Sequence, residues 1–285
     1  AHGSYEALLA DPDVDAVYIS LPNGQHVDWS VRALEAGKHV LCEKPLTASV
    51  AEVERAFAAA ARAGRVLSEA FMWRHNPQTH QLVRLVREGA IGELRMVRAT
   101  FSFTLDQPGN IRLDAALEGG ALMDIGCYCV SGARVLAGAE PLEASATAVW
   151  AGGGAPGAEG LPGTGAVDVR LAGLLRFPGD VVAELQCGFD LRLRHDLEAI
   201  GSTGSLRVAD PFHGRAPGIA LTRADGTSEA VPVELFDPYR AQLEQFARAV
   251  AGAEPPLLGR DDAVGQARAI AALYRAAATG RSVAL

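Results

Sequence analysis

Residues 15–23 read DAVYISLPN and residues 38–45 read KHVLCEKP, two short apolar runs that each end in polar residues and a proline. Residues 27–36 form a helical segment between them, and Gly37 supplies its C-cap. Short apolar runs that alternate with helices are typical of a parallel sheet buried on both faces. Ligands of such sheets bind at the carboxyl ends of the strands. The pattern therefore predicts one binding rim, formed by Pro22, Asn23, Glu43, Lys44 and Pro45.

The bulk composition indicates a soluble cytoplasmic protein. A chain of 285 residues corresponds to two domains at about 150 residues each. No apolar run approaches the ~18 residues of a membrane span, so no membrane partner is expected. The excess of acidic over basic residues, 34 against 26, argues against nucleic acid as a partner. Four cysteines without paired spacing predict reduced thiols and no metal site.

The second part of the chain changes to a strand pattern. Residues 93–105 alternate apolar and polar side chains, and further strand candidates follow between residues 144 and 233 with few helical signals. Helical patterns return at residues 238–251 and 261–279. We therefore predict one open, mostly antiparallel sheet after a boundary near residue 92.

A dinucleotide-binding domain opens with a strand, a Gly-x-Gly-x-x-Gly turn and, about 20 residues later, an acidic residue or arginine. None of these precedes Asp15, so we expect the first strands of such a domain to be absent from this sequence. One literal match lies at residues 152–157, but Pro156 stands where a helix should begin. Because the match lacks strand and helix context, it predicts a mobile loop and not a phosphate site.

A second cluster of reactive groups lies in EGGALMDIGCY, residues 118–128, at the start of a predicted helix. Asp124 and Tyr128 are four residues apart and therefore share a helix face. Each also has a purely structural explanation, since a carboxylate near a helix start favours the positive dipole end and tyrosine packs in cores. The spacing alone leaves both explanations open.

Two motifs together resemble one enzyme family. LPNGQH (residues 21–26) with GKHVLCEKP (37–45), and GGALMDIGCY (119–128), are similar to the two signatures of the glucose-fructose oxidoreductase / inositol dehydrogenase / rhizopine catabolism (Gfo/Idh/MocA) superfamily of NAD(P)-dependent oxidoreductases. Many members have histidine where this chain has Tyr128. Tyrosine there resembles the branch that contains aldose and dihydrodiol dehydrogenases and some nucleotide-ketosugar reductases.

The resemblance and the pattern together predict an α/β fold. A partial doubly wound (Rossmann) parallel sheet would be followed by an α+β domain with a large open, mostly antiparallel sheet. Residues 1–92, with parts of the C-terminal helices, would be the C-terminal portion of a dinucleotide-binding Rossmann domain. Residues 93–285 would be the domain for substrate binding and oligomerisation. The resemblance implies a homo-oligomer, a dimer or tetramer, formed through the open sheet.

The resemblance implies that Lys44, Asp124 and Tyr128 are catalytic. Tyr128 would move the hydroxyl proton while a hydride passes between the substrate and nicotinamide, and Lys44 would polarise the oxygen. A free phenol titrates near ~10, and a neighbouring ammonium is expected to lower that pKa. Asp124 would orient Lys44 or substrate hydroxyls.

Binding residues follow from the same resemblance. A small sugar-like substrate would contact Lys44, Arg112, Asp124 and Tyr128. The cofactor, NADP or NAD with NADP favoured by the branch, would contact Leu21, Pro22, Asn23, His26, Glu43, Lys44, Trp73 and Arg74. Residue types alone leave alternatives, since His26 could be a helix-start histidine and Arg112 a surface arginine.

Three functions remain open from the sequence. The first is an NAD(P)-dependent dehydrogenase of an aldose, a related polyol or a dihydrodiol. The second is a reductase of a keto-sugar, with or without a linked nucleotide. The third is a catalytically silent sugar- or nucleotide-sensing relative. Retention of Lys44, Asp124 and Tyr128 argues against the third, whereas the missing fingerprint argues for it.

Overall fold

The computed structural model describes residues 1–107, 109–154, 165–216, 218–234 and 236–285. Its N-terminal part alternates helices and strands: α1 (Tyr5–Ala10), β1 (Ala16–Ile19), α2 (His26–Glu35), β2 (His39–Glu43), α3 (Val50–Ala63), β3 (Leu67–Ala70) and α4 (Pro77–Arg87). The three strands form a parallel sheet in the order β1-β2-β3. This result confirms the parallel sheet predicted from the apolar runs.

Local sequence explains where these helices begin and end. The hydroxyl of Ser49 accepts the Glu52 N–H at the start of α3, and Gly64 ends the helix in the left-handed conformation. Asn76 caps α4 in the same way, immediately before Pro77. The strands therefore end at defined points, and the polar residues that follow β1 and β2 meet at one edge of the sheet.

The rest of the chain forms a nine-stranded sheet and three more helices. In chain order these are β4 (Leu94–Thr104), α5 (Cys127–Ala137), β5 (Glu143–Trp150), β6 (Asp168–Arg176), β7 (Val182–Gly188), β8 (Asp190–Gly201), β9 (Gly204–Val208), β10 (Ile219–Arg223), β11 (Ser228–Val231), α6 (Pro238–Val250), α7 (Arg260–Thr279) and β12 (Val283–Ala284). The strand order is β11-β10-β9-β8-β4-β7-β6-β5-β12. Among the strand pairs that the described residues form in this sheet, only β4–β7 is parallel, which confirms a mostly antiparallel sheet.

One face of the large sheet is covered by helices and the other is open. On β4, Val97, Ala99 and Phe101 are buried under α5, whereas Arg95 and Arg98 are exposed. A second apolar cluster joins the parallel sheet to α2, α3 and the first turns of α7. The open polar face agrees with the alternation read from the sequence.

The side chain of Asp168 fixes the position of the backbone segment that leads into α5. Its carboxylate is fully buried and accepts the Leu122 N–H at 2.7 Å and the Tyr274 hydroxyl at 2.7 Å. Residues 122–126 form one π-helical turn before α5. Gly120, at φ +125°, passes so close to Asp168 that a side chain has no room there. The buried carboxylate thus decides where the helix start lies.

Glu69 fixes the position of the turn that follows β2 in a similar way. Its Oε1 accepts the Leu46 N–H at 2.7 Å, which holds the turn that contains Lys44. Its Oε2 is buried without a partner among the described residues. Burial raises the pKa of Glu69 to about 8. The side chain is therefore mostly neutral near pH 7.

Other expectations have mixed outcomes. All four cysteines are free and buried, as the absence of paired spacing predicted. Among the described helices, none is both long and apolar enough to cross a membrane. The loop predicted at residues 152–157 lies largely outside the described residues, which include only its first part, a turn with Gly152 at φ +66°.

The substitution Gly120→Ala tests the packing against Asp168. The new Cβ would lie 2.2 Å from Asp168 Oδ1 and 2.9 Å from the Tyr274 hydroxyl. We expect a loss of about 2–4 kcal/mol in the free energy of unfolding, measured by chemical denaturation. Gly226→Ala is the control, since Gly226 has φ +84° but nothing within 4 Å, and it should cost about 1 kcal/mol. Equal losses would contradict the steric argument.

The substitution Glu69→Gln tests the buried carboxyl. Because the pKa of Glu69 rises from 4.5 to about 8 on folding, the folded state binds this proton more tightly. Its stabilising contribution is complete below pH 4.5 and is lost as the pH rises to about 8. We expect the free energy of unfolding to fall over this interval by about 1 kcal/mol or more in the unsubstituted protein, and less in Glu69→Gln. The exposed Glu6→Gln should keep the unsubstituted pH dependence, and an unchanged slope in Glu69→Gln would refute the assignment.

Candidate active site

A cavity opens where the carboxyl ends of β1 and β2 face the segment that leads into α5. Three segments supply its lining: Leu21, Pro22, Asn23 and His26 after β1; Glu43 and Lys44 at the end of β2; Ile111, Arg112, Leu117, Gly119 and Asp124 ahead of α5. The rim predicted from the strand pattern is thus brought against the second cluster of reactive groups.

Lys44 bridges the two sides of this cavity. Its Nζ donates to the Asp124 backbone carbonyl at 2.7 Å and to Asp124 Oδ1 at 3.2 Å. Arg112 Nε donates to the other carboxylate oxygen, Oδ2, at 2.6 Å. Asp124 therefore lies between two cations: Oδ1 accepts from Lys44 and Oδ2 accepts from Arg112.

The π-helical turn contributes to this arrangement. The Cys127 N–H bonds to the Leu122 carbonyl, five residues earlier, so the backbone is wider here than in an α-helix. Asp124 lies in the middle of this turn, and its carbonyl is reached by the Lys44 ammonium. Single π-turns occur often at functional sites, because they redirect side chains within a helix.

The charges in this cluster stabilise one another. Burial acts to raise the pKa of Asp124, but Lys44 and Arg112 outweigh it and hold that pKa below its usual range. Burial acts to lower the pKa of Lys44, and Asp124 reverses the effect so that the pKa lies above its usual range. Near neutral pH, Asp124 is therefore an anion and Lys44 a cation.

Tyr128 lies beside this ion cluster in an aromatic environment. Its half-buried ring contacts Phe71, Phe101 and Phe212 at centroid distances of 5.4, 5.6 and 5.3 Å. Lys44 Nζ lies over the ring, 5.0 Å from its centroid. Burial raises the pKa of the phenol well above its usual value, and Lys44 only partly opposes this. Lys44 therefore acts on the Tyr128 pKa in the predicted direction, but burial outweighs it and the pKa lies above its usual value.

His26 connects the two rim segments. It is almost fully buried, and its ring nitrogens lie 2.8 Å from the Pro45 carbonyl and 2.8 Å from the Leu21 carbonyl. Burial lowers the pKa of His26 despite these acceptors, so the ring is neutral near pH 7. A neutral imidazole has one N–H, so the side chain donates to one of the two carbonyls, and its buried ring packs between Leu21 and Pro45 at the cavity wall.

Two further contacts shape the rim. The Tyr18 hydroxyl donates to Glu43, a contact across neighbouring strands that the sequence did not reveal. Asn23 Nδ2 donates to the Glu118 carbonyl at 2.9 Å, which joins the β1 side of the cavity to the segment before α5. Glu118 itself has a left-handed φ of 54°. These contacts fix the width of the cavity.

Trp73 and Arg74 do not reach the cavity. Trp73 is fully buried in the core of the large sheet, where it packs edge-to-face on Phe212 at 5.5 Å. Arg74 pairs with Asp262 of α7 at 3.2 Å. The 3₁₀ turn that follows β3, residues 72–75, directs both side chains away from the rim. The prediction that they contact the cofactor gains no support from this placement.

Sequence reasoning missed the residues that position the site from a distance. Asp168 and Glu69 are isolated carboxylates within apolar strands, and this mismatch is the signal that could have identified them. Gln266 of α7 donates to the Cys127 carbonyl at 2.8 Å and had no visible signal. These contacts are distant in sequence, so no local pattern records them.

The cavity lining combines apolar surface with a few polar groups. Leu21, Pro22 and Leu117 offer apolar surface, and Asn23 and Lys44 offer hydrogen-bonding groups. A flat ring that bears a carboxamide and a ribose requires such a mixture of apolar contact and a few polar groups.

Comparisons with known proteins agree with this geometry. Residues 2–71 match the model of the oxidoreductase family with an NAD-binding Rossmann fold, and residues 79–207 match the GFO/IDH/MocA C-terminal domain. A D-xylose 1-dehydrogenase (NADP(+)) from Haloferax volcanii is 40% identical over 289 residues, covering 100% of this chain and 85% of the relative.

Solved structures with similar sequences share the fold. An aldose-aldose oxidoreductase from Caulobacter crescentus, complexed with glycerol, has a TM-score of 0.88 at 31% identity, covering 99% of this chain and 82% of that one. A 3-ketoreductase from Actinomadura kijaniata, in complex with NADP and TDP-benzene, has a TM-score of 0.85 at 35% identity, covering 95% and 80%. The chain is therefore a member of the Gfo/Idh/MocA family of NAD(P)-dependent oxidoreductases.

Proposed function

We propose that this protein transfers a hydride between NADP and the C–OH group of an aldose or a related polyol. The observation that carries the proposal is the contact of Lys44 with Asp124 beside the Tyr128 ring, at the rim of the parallel sheet. The D-xylose dehydrogenase and aldose-aldose oxidoreductase relatives support the substrate class.

NADP is the proposed cofactor because the xylose dehydrogenase is named for it and the 3-ketoreductase structure contains it. When bound, its nicotinamide would supply the carbon that accepts or donates the hydride. Leu21, Pro22, Asn23, Glu43 and Lys44 would contact this end of the cofactor, and His26 would hold the rim around it.

Lys44 is proposed to bind the reacting oxygen of the substrate. An ammonium has three N–H donors, and Asp124 takes two of them. The third remains for a hydroxyl or carbonyl oxygen in the cavity. A cation at that oxygen stabilises the negative charge that develops there during hydride transfer. Arg112 keeps Asp124 ionised and in register with Lys44.

Tyr128 is proposed to exchange the proton of this oxygen. In the present conformation the phenol is protonated near neutral pH, so it is prepared to donate a proton to a carbonyl oxygen. In the oxidative direction, Lys44 would stabilise the phenolate that forms when Tyr128 accepts the proton.

A relative supports a second candidate, a reductase of a keto-sugar. The 3-ketoreductase of Actinomadura kijaniata is 35% identical to this chain. Turnover of an aldose with NADP, compared with turnover of a keto-sugar with NADPH, separates the two directions.

We further propose that the two parts of the chain bind different ligands. Residues 1–92, with the start of α7, would serve the dinucleotide, since Ala263 and Ala267 pack in the same cluster as β1 and β2. Residues 93–285 would bind the substrate, and their open sheet face would pair with a second copy in a cytoplasmic homo-oligomer. Sedimentation of the purified protein would measure the oligomeric state.

The substitution Tyr128→Phe tests the proton-transfer role. It removes the hydroxyl and keeps the ring that packs on Phe71 and Phe101, so we expect kcat to fall about 100-fold or more while NADPH binding stays unchanged. Steady-state rates and fluorescence titration with NADPH measure the two effects. Tyr5→Phe, which removes an exposed hydroxyl on α1, is the control. Unchanged turnover in Tyr128→Phe would refute the proton-transfer role, and absence of turnover in the unsubstituted protein, with NADPH still bound, would indicate a binding protein.

The substitution Asp124→Asn tests the ion cluster by its pH dependence. Without the carboxylate, the largest effect that opposes burial is lost and the pKa of Lys44 falls. We expect kcat/KM to decline on the alkaline side, where the unsubstituted enzyme is still active, because the ammonium loses its proton as the pH rises. The exposed Asp106→Asn should leave the pH profile unchanged. If Asp124→Asn and Asp106→Asn have the same pH profile of kcat/KM, the coupling between Asp124 and Lys44 is refuted.

A further inference from the structure

Two histidines and one aspartate lie together on the other side of the aromatic group around Tyr128. His195 belongs to β8, and Asp210 and His213 belong to the turn after β9. Phe101 connects them to the active site, since its ring centroid lies 5.6 Å from Tyr128, 5.5 Å from His213 and 6.0 Å from His195. The cluster is therefore separated from Tyr128 by one aromatic ring, that of Phe101.

Asp210 is held in place by the backbone of its own turn. Its Oδ2 accepts the N–H groups of Arg215 at 2.7 Å and Ala216 at 3.1 Å. Its Oδ1 faces the two imidazoles, 3.4 Å from His195 Nδ1 and 3.8 Å from His213 Nδ1. The carboxylate thus orients both rings by their Nδ1 sides.

The outer nitrogens of the two rings remain available. His195 Nδ1 lies 3.1 Å from the Ala209 carbonyl, so Nδ1 carries a proton and donates to that oxygen. Within the described residues, neither Nε2 atom makes a hydrogen bond, and neither atom is buried. Both Nε2 atoms are therefore open to a ligand from solvent.

The same contacts argue against a metal ion. Three candidate ligand atoms lie within 4.8 Å of one another, which is compatible with a two-histidine, one-carboxylate site. However, a protonated Nδ1 on His195 offers no lone pair towards Asp210, and backbone N–H groups occupy Asp210 Oδ2. One carboxylate oxygen is thus engaged by the backbone, and the other faces the Nδ1 side of both imidazoles.

The charge of the cluster indicates the kind of ligand. Burial lowers the pKa of His213, Arg215 and Lys44 add to this effect, and Asp210 opposes it, so His213 is neutral near pH 7. A neutral imidazole accepts from or donates to a hydroxyl group, and the Asp210 carboxylate partly offsets the positive charge of Arg215 beside it. Hydroxyl groups without charge are the ligands that suit this arrangement.

We infer that His195 and His213, oriented by Asp210, form a subsite for the hydroxyl groups of an uncharged sugar that are remote from its reacting carbon. The inference rests on the proposed function and makes it more specific, because it favours a free aldose or polyol over a nucleotide-linked sugar. His195 and His213 would then determine specificity without taking part in the chemical step.

The experiment compares His195→Asn and His213→Asn with the unsubstituted full chain. The asparagine amide can replace the Nδ1 donor that supports the turn, but it has no group at the position of Nε2. A panel of free aldoses with NADP first identifies the best substrate, starting with D-xylose. We expect each variant to raise KM for that sugar about five- to tenfold, with kcat within about twofold and NADPH binding unchanged.

Controls separate this subsite from a general structural effect. Gln keeps an amide at the position of Nε2, so His195→Gln and His213→Gln should recover most of the affinity. For a deoxy analogue that lacks the recognised hydroxyl, the Asn variants and the unsubstituted enzyme should have equal KM values. His80→Asn, at an exposed histidine of α4, should change nothing.

The possible failures are distinguishable. If the unsubstituted chain oxidises none of the aldoses, the proposed function fails before the variants are compared. If it is active but the Asn variants keep its KM, or lose affinity equally for the deoxy analogue, the subsite is refuted. Binding of Zn²⁺ that both Asn substitutions abolish, with KM unchanged, would also refute it in favour of a metal site.

Discussion

The contact between Lys44 and Asp124 joins the two parts of the molecule at the point where chemistry is proposed. Lys44 follows a strand of the parallel sheet, and Asp124 lies 80 residues later in the turn before α5. Both side chains are largely buried, with 13% and 17% of their surface exposed. Removing such charges from water is costly, and only close pairing with further hydrogen bonds offsets that cost. Arg112 and the Asp124 carbonyl provide these bonds.

Two buried carboxylates hold this pair in register. Glu69 accepts the N–H of Leu46, two residues after Lys44, and Asp168 accepts the N–H of Leu122, two residues before Asp124. Each carboxylate fixes a backbone segment and leaves the reactive side chain free. Burial raises the pKa of both, to about 8 for Glu69 and about 6 for Asp168. The stability of the site is thus linked to the protonation of groups that do not line the cavity.

The aromatic group around Tyr128 separates two kinds of chemistry. On one side lie the charges of Lys44 and Asp124, which suit a step that moves charge onto and off an oxygen. On the other side lie His195 and His213, neutral in the case of His213 and oriented by a carboxylate. Phe101 and Phe212 stack on each other between them at 5.4 Å. Such rigid apolar packing keeps the two sets of polar groups at a fixed distance.

The sequence by itself determined the parallel sheet, the mostly antiparallel sheet, the rim at Lys44 and the helix with Asp124 and Tyr128, because strand and helix periods and turn residues are local properties. Only the tertiary structure decided that Trp73 enters the core, that Arg74 pairs with Asp262, and that burial raises the pKa of Tyr128. It also decided which distant carboxylates hold the site and that His195 meets His213. These features depend on burial and on contacts between residues far apart in the chain, and no local pattern encodes either of them.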